Sequence, residues 1–573
     1  MPGTVDSIRL TKGLPGSVPR QNSSQKIKMT WDRSKPTGDG SNASNHARVG
    51  VFKNYSFLAA SYAASRLLTF GSLIYIARHL GVAAFGQINF ALAIFTYWTL
   101  LTHLGLMTFG TREVARRPGE IQGKVAGILS LRLALTLVSF VLLVLLIRFT
   151  TLDGQLKILI LLFGLSLFPT AALLDWAFKG MERMNVVGLI ELVRSVPYLV
   201  LVLFWVKQPS QVLRIPVFFF FSTVLAAGLG WDVFRRDYGW PVPRVRLVFW
   251  KRAMRESLPL GFAFMLLQVY YLTDIVVLGF LRGAVSVGYY SAAYKSVAFV
   301  LMLGGLFFET TFPVIARHYQ QDRGKLPGLI RSSLRLTLFL AIPMAAGGTV
   351  LAGPILTSLY GAEYRSATLA FQLLIWAVAI EIIGLNWGYA LMACDQSRAY
   401  MKAVGVGAVL SVGLNLALIP KLGLMGAGLA RLASSALISL GLWFQFRRIS
   451  PLRWAQYLFK PALASAIMVA VMVFMGPAGM LGMTHGMTLG RTPGTIWGTT
   501  WGTILGTICG TLIYGVTMLL IGPSERAHAL RLAHAMWAPS RLAPSRTMVF
   551  PVPFSAPECV PGGEEPRAQE TGE

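Results

Sequence analysis

Charge is what this sequence has least of. Only 13% of its 573 residues are Asp, Glu, Lys or Arg, about half the ~25% of an ordinary soluble chain. The shortfall runs along the chain, so it excludes a plain assembly of soluble domains and places most residues where charge is costly. Cysteine is nearly absent. Cys394, Cys509 and Cys559 have no paired spacing, which argues against a disulfide framework and against a zinc site. A G-x-x-x-x-G-K-[ST] run is also missing, which disfavours an ATP-driven machine. Residues 1–50 are polar and carry no apolar core, so no cleaved signal peptide is expected and the first apolar segment serves as an uncleaved anchor. Met29 is an alternative start.

What the chain has in abundance is long apolar runs. They lie at about 54–79, 84–109, 125–147, 156–178, 186–206, 213–233, 256–281, 287–315, 330–351, 364–392, 401–419, 424–446, 456–476 and 494–521. Each is long enough to cross about 30 Å of hydrocarbon as a helix. The runs are continuous rather than alternating, which disfavours strands. The expected fold is therefore an all-α, polytopic membrane protein of about fourteen spans.

Charge supports the count independently. The net charge is +28. In a soluble protein that would suggest nucleic acid; here the basic residues sit in short loops, so no nucleic-acid partner is expected. With the N-terminus in the cytoplasm, the inner loops 111–124, 179–185, 235–255, 317–331, 398–402 and 447–460 hold 23 Lys and Arg residues, against 9 in the outer loops. That is the asymmetry the positive-inside rule requires. Fourteen spans also put both termini in the cytoplasm.

An internal repeat divides the spans. "LGVAAFGQINFALAIF" (80–95) follows the first span and "LGFLRGAVSVGYYSAAYKSVAF" (278–299) follows the seventh. The chain then reads as a tail (1–50), a six-helix bundle (51–246), a second six-helix bundle (247–450), two added helices (451–522) and a second tail (523–573). Both tails have the composition of disordered segments. Two pseudo-equivalent bundles around a midplane site are a transporter plan.

Three runs resemble a known family: "ARHLGVAAFGQINFALAIFTYWTLLTHLGLMTFGTREVAR" (77–116), "DWAFKGMERMNVVGLIELV" (175–193) and "ALMACDQSRAYMKAVGVGAVLSVGLNLALIPKLGLMGAGLA" (390–430). They are similar, in this order, to bacterial polysaccharide transporters, the O-antigen (Wzx-type) flippases of the multidrug/oligosaccharidyl-lipid/polysaccharide exporter superfamily. The resemblance spans roughly 51–450. It implies a flippase in the bacterial cytoplasmic (inner) membrane. Such a protein moves an undecaprenyl-diphosphate-linked oligosaccharide outward by alternating access, for cell-surface polysaccharide synthesis. It implies no enzyme activity and no resident cofactor. Membrane lipids, a polysaccharide polymerase and glycosyltransferases are the partners it brings to mind.

Ionisable residues inside spans are the candidate site, because charge in lipid normally faces a cavity or a partner. Arg66, Asp274, Lys295, Glu381 and Arg431 lie within spans, while Arg132, Asp175, Glu191, Arg194 and Glu309 lie nearer the ends. A diphosphate crossing the midplane needs cations, and Arg matches phosphate oxygens with a planar fork. Arg66, Lys295 and Arg431 are the expected cavity cations. Asp274 is the candidate to hold one of them when the cavity is empty, or to couple transport to Na⁺ or H⁺. A bland alternative pairs Arg66 with Asp274, and another pairs Glu191 with Arg194 on one helix face. His103 reads as a packed polar residue. Gly494, Gly498, Gly502, Gly506 and Gly510 form a small-residue stripe that suits close helix packing, first of all against the thirteenth span.

Three other functions stay open at this point. A membrane glycosyltransferase or polymerase should carry catalytic clusters on long loops; the long outer loop 477–493 offers only His485 and Arg491. A drug or cation antiporter should favour acidic cavity groups. A lipid-II-type flippase would use the same cationic logic.

Overall fold

The computed structural model describes residues 40–240, 246–321, 324–449, 455–485 and 510–517. Among these residues every regular element is a helix. A bilayer offers the backbone no hydrogen-bond partners, so long apolar runs close their bonds within helices. The chain divides into two units, Met1–Lys53 and Asn54–Glu573. Of the first unit, residues 40–53 are helical. Residues 1–39 and the expected tail 523–573 lie outside the described residues.

The first half contains α1 (Gly40–His103), α2 (Leu106–Arg116), α3 (Ile121–Phe149), α4 (Gly154–Leu165), α5 (Leu167–Ala171), α6 (Asp175–Gly180), α7 (Met184–Trp205) and α8 (Arg214–Tyr238). The second contains α9 (Leu247–Gln321), α10 (Leu326–Tyr360), α11 (Thr368–Ala393), α12 (Ser397–Leu422) and α13 (Leu424–Phe446), followed by α14 (Phe459–His485). Eleven helical stretches among the described residues are long and apolar enough to cross a membrane. Two of them hold two apolar runs each. α1 breaks at Gly81 (φ 75°) and α9 at Gly283 (φ 78°), backbone conformations that L side chains rarely adopt. Divided at these glycines, the helices account for each of the first thirteen apolar runs. Of the fourteenth, 494–521, only 510–517 is described, and it is helical. The short run at 401–419 falls inside α12.

The two breaks occupy matching places in the internal repeat, and the core shows what they do. One apolar cluster draws Phe85, Ile88 and Phe90 of α1 together with Leu278, Tyr290 and Val297 of α9, and adds Leu356 and Tyr360 of α10. It is shared by both halves at the end where α1 and α9 break. At the opposite end the cores separate. The first half has its own around Leu106, Trp176, Phe178 and Phe234, which the start of α9 joins through Ala253. The second has another around Ile315, Leu334, Trp387 and Phe446. α14 lies on the outside of α10, through Met468, Met472 and Leu351. Gly510 sits against Met472, and Tyr514 donates to the Phe339 carbonyl at 2.9 Å. The rest of the glycine stripe lies outside the described residues.

Candidate functional site

The seam between the halves is built from glycine. A Cβ on Gly86 would overlap the Ala284 carbonyl, and one on Gly288 would overlap the Val82 carbonyl. Each half thus presses a glycine against the residue that follows the other half's break. Gly279 is similarly filled by the Phe90 ring. Side chains fasten the same end. Arg78 of α1 donates to the carbonyls of Leu359, at 2.7 Å, and Ser358 at the end of α10. The Tyr364 hydroxyl donates to the Ala77 carbonyl at 3.1 Å.

Deeper along the seam, Phe70 of α1 stacks on Phe299 of α9 with centroids 5.7 Å apart. One helical turn from these rings stand Arg66 and Lys295, four residues away in each case. Arg66 is exposed and Lys295 half-buried. Among the described residues neither has a carboxylate partner. Each half thus places one cation a helical turn from the same ring stack.

The other seam, between the second part of α1 and the first part of α9, is closed at two levels. Tyr97 meets Thr273 at 3.2 Å and the Gln268 carbonyl at 3.5 Å. A Cβ on Gly105 would overlap the Ser257 carbonyl, and one on Gly261 would overlap Leu104.

Asp274, Glu381 and Arg431 are brought together, but inside the second bundle. Arg431 is 2% exposed. Its Nε lies 3.2 Å from Glu381 Oε1, and its Nη1 lies 3.8 Å from Asp274 Oδ2. Nη1 also donates to the Tyr270 carbonyl at 2.8 Å. Tyr270, Tyr271 and Tyr294 surround the guanidinium, with ring centroids 4.3, 4.9 and 5.5 Å from its carbon. This is a cation–π box. Glu381 Oε1 also accepts from the Tyr270 hydroxyl at 2.5 Å and from Ser435 at 3.1 Å. Asp274 accepts from the Tyr290 hydroxyl and from the Ile275 amide. Arg431 therefore does not snorkel outward. It stands between Glu381 and Asp274, and no Arg66–Asp274 pair forms.

Below this cluster lies a cavity of roughly 560 Å³, counting its open mouth, lined by Glu381, Tyr271, Tyr389, Met392, Tyr400 and Leu442 among others. Met392, Tyr400 and Leu442 stand near the ends of α11 and α13 and the start of α12, away from the glycine breaks. The cavity runs from Glu381 toward that end.

The remaining candidates have structural partners. Arg132 is fully buried; it donates to the carbonyls of Leu173 and Thr170, at 3.1 and 3.0 Å, and meets His103 at 3.1 Å. The fourth span breaks here between α5 and α6; the Thr170 carbonyl also accepts from the Leu173 amide at 3.4 Å, and Trp231 takes the Ala172 carbonyl at 2.9 Å. Asp175 pairs with Lys179 at 3.1 Å, and Glu191 with Arg194 at 2.6 Å. His103 is packed beside Arg132. The side chain of Glu309 lies outside the described ones.

Sequence reasoning missed the tyrosines. A signal was present: Tyr270 and Asp274 stand four apart, as do Tyr290 and Tyr294, so each pair shares a helix face. It also missed Arg132 as the group that satisfies a broken span, since hydropathy does not reveal which carbonyls a break frees.

Residues 51–318 match the family model described as polysaccharide biosynthesis protein, and residues 241–490 match that of the lipid II flippase MurJ. The probable flippase AglR of Haloferax volcanii is 27% identical over 171 residues, covering 29% of this chain and 36% of that protein. The matched stretch thus spans about a third of the relative's length. Among solved structures, the lipid II flippase MurJ in an inward closed conformation superposes with a TM-score of 0.64 at 16% identity, over 81% of this chain and 98% of that one. An inward-facing multidrug resistance MATE family transporter of the MOP superfamily superposes at 0.55 and 15% identity, over 69% and 95%. These likenesses show the fold.

Proposed function

We propose that this member of the multidrug/oligosaccharidyl-lipid/polysaccharide (MOP) superfamily is a flippase that carries a polyprenyl-diphosphate-linked oligosaccharide across the bacterial cytoplasmic membrane by alternating access. The observation that carries this reading is the placing of Arg66 and Lys295 beside the Phe70–Phe299 stack between the halves. The two cations belong to different halves, lie beside stacked rings at mid-seam, and lack a carboxylate among the described residues. Removing a phosphate from water costs several kcal/mol even after relaxation. Two cations held apart from their own counterions offset that cost, and the anion in turn relieves their repulsion. Binding would therefore draw the two halves together around the linker, while the sugar occupies the space between the bundles.

The cores support a direction. With both termini in the cytoplasm, as the loop charges require, the glycine breaks face outward. The shared core then closes the outer side, and opening on the cytoplasmic side, where the substrate is made, would separate the contacts of Gly105 with Ser257 and of Gly261 with Leu104. The relatives are flippases and transporters, and no catalytic residue is assigned. Glycosyltransferases that build the glycan and a polymerase that extends it are the partners this reading expects.

A lipid-II-type substrate is the second reading, favoured by the MurJ match over 241–490. It needs the same cations and differs only in the sugar.

The test uses purified protein in proteoliposomes. A fluorescent polyprenyl-diphosphate oligosaccharide should move between leaflets with its sugar unchanged, and faster than a lipid II analogue. Appearance of an elongated glycan would sink the transporter reading, and preference for the lipid II analogue would select the second one.

A further inference from the structure

The Phe70–Phe299 stack lies between Arg66 and Lys295 in depth, with one cation on each side of it. α1 runs toward its break at Gly81 as it passes Phe70, and α9 runs away from its break at Gly283 as it reaches Phe299. Both breaks lie at one end, where Gly86 meets Ala284 and Gly288 meets Val82. The two stretches are therefore antiparallel. Arg66 precedes Phe70 and Lys295 precedes Phe299, each by one helical turn. On antiparallel helices the same offset points in opposite directions. Arg66 leaves its helix one turn farther from the breaks than the rings, and Lys295 one turn nearer to them. With the stacked rings level, the two backbone positions differ by about 12 Å in depth.

Burial changes across the same level. Leu67, next to Arg66, is 57% exposed, whereas Ser72 and Ile76, beyond Phe70, are fully buried. Around Lys295, Ala292, Ala293 and Val297 are fully buried members of the core shared by both halves. Arg66 is thus on the exposed side of the rings, and Lys295 stands beside the closed core. Each half supplies one ring, and the two are 24° from parallel. An apolar constriction of this kind excludes water, and an ion crosses it only at a large desolvation cost. A contact between two rings is also weak beside a packed core, so the stack can part when the halves move.

We infer that Phe70 and Phe299 form a gate between two stations for the diphosphate linker: Arg66 receives it on the cytoplasmic side, and Lys295 takes it over on the outer side once the rings part. The sidedness follows from the loop charges, which turn the breaks outward. No covalent bond changes; the phosphate oxygens exchange one cation for the other. Each ring belongs to a different half, so the hand-over requires the two bundles to rearrange. The residue types suit the places. The planar fork of Arg66 grips two oxygens at once, and the Lys295 ammonium is a compact charge on a flexible stem that can follow a moving group. The two stations rest on the flippase reading; the gate itself does not.

Cysteine labelling tests the gate without substrate. The protein, lacking its native cysteines, is placed in oriented proteoliposomes with an impermeant thiol reagent on the cytoplasmic face. Arg66→Cys should react about tenfold or more faster than Lys295→Cys. Adding Phe70→Ala should raise the Lys295→Cys rate several-fold. Phe299→Leu, which keeps an apolar side chain, should shift it the same way. Equal rates with both rings present, or a Lys295→Cys rate that neither ring variant alters, overturns the gate. The stations are tested with a fluorescent polyprenyl-diphosphate oligosaccharide, whose binding and movement are measured separately. Arg66→Ala should weaken binding about tenfold or more. Lys295→Ala should bind nearly as the wild type does and still move the lipid far more slowly. Equal loss of binding in both variants, or equal retention, overturns the two stations. Failure of the wild type to move any such lipid sinks the flippase reading, and the labelling contrast still decides the gate.

Discussion

Gly86 and Gly288 stand in a reciprocal relationship. Each lies where its own Cβ would strike the backbone just beyond the other half's break, at Ala284 and Val82 respectively. The internal repeat is therefore also a physical contact, because the duplicated motif packs on its own copy. Alanine at either position forces the halves apart at the end where α1 and α9 break. Overpacking of a tight contact costs about 1–3 kcal/mol. Gly86→Ala and Gly288→Ala should each lower the melting temperature in detergent. The double variant should lose less than the two single losses combined, since one displacement relieves both clashes. Unchanged melting of both single variants would disprove the contact.

Arg66→Ala and Lys295→Ala should each slow glycan movement by about tenfold or more, a loss of ~1.4 kcal/mol in barrier terms. Expression and melting should hardly change, because among the described residues neither side chain has a carboxylate to strand. A variant that transports at the wild-type rate removes that residue from the site.

Arg78 reaches from the first half to the last carbonyls of α10. Arg78→Ala should loosen the outer closure without touching the seam's centre. A cysteine introduced at Val82, in a background lacking the native cysteines, should then react faster with an impermeant reagent added from outside. Equal reactivity in the presence and absence of Arg78 means the latch is not needed for closure.

Arg132→Met should be the most destabilising of these changes. It strands the Leu173 carbonyl in a buried place, and an unmade bond there costs about 1–3 kcal/mol. The expected outcome is a melting temperature several degrees lower, with the residual folded protein still competent to transport. Loss of transport at unchanged melting would move Arg132 into the mechanism.

Much of the fold was legible in the residues. Continuous apolar runs at 125–147 or 424–446 admit nothing but helices in a membrane, and loop Lys and Arg repeat the span count in a second signal. Gly81 and Gly283 were legible as a repeated motif, but not as a mutual contact, because a sequence shows periodicity and not what a residue touches. The site was half legible. Each intramembrane charge drew notice, since charge in lipid needs a reason. Their sorting did not follow. Arg66 and Arg431 look alike in sequence, yet one is exposed and the other sits buried among two carboxylates and three rings. That difference is set by helix rotation in the bundle, which an apolar run of high overall hydropathy does not encode. Tyr270 and Tyr294 were passed over because tyrosine is common near interfaces, and their four-residue spacings gained meaning only when α13 brought Arg431 between them.

The core shared by both halves has a consequence for how the protein is made. Phe85, Ile88 and Phe90 are synthesised roughly two hundred residues before Leu278, Tyr290 and Val297, with which they pack. During that interval the first bundle is in the membrane with its glycine-lined face uncovered. A nascent chain halted before α9 would present that face to lipid or to a neighbouring chain, and cellular quality control acts on such exposed, incompletely packed intermediates. A first half supplied alone should be short-lived in cells and should be rescued when the second half is expressed beside it as a separate chain.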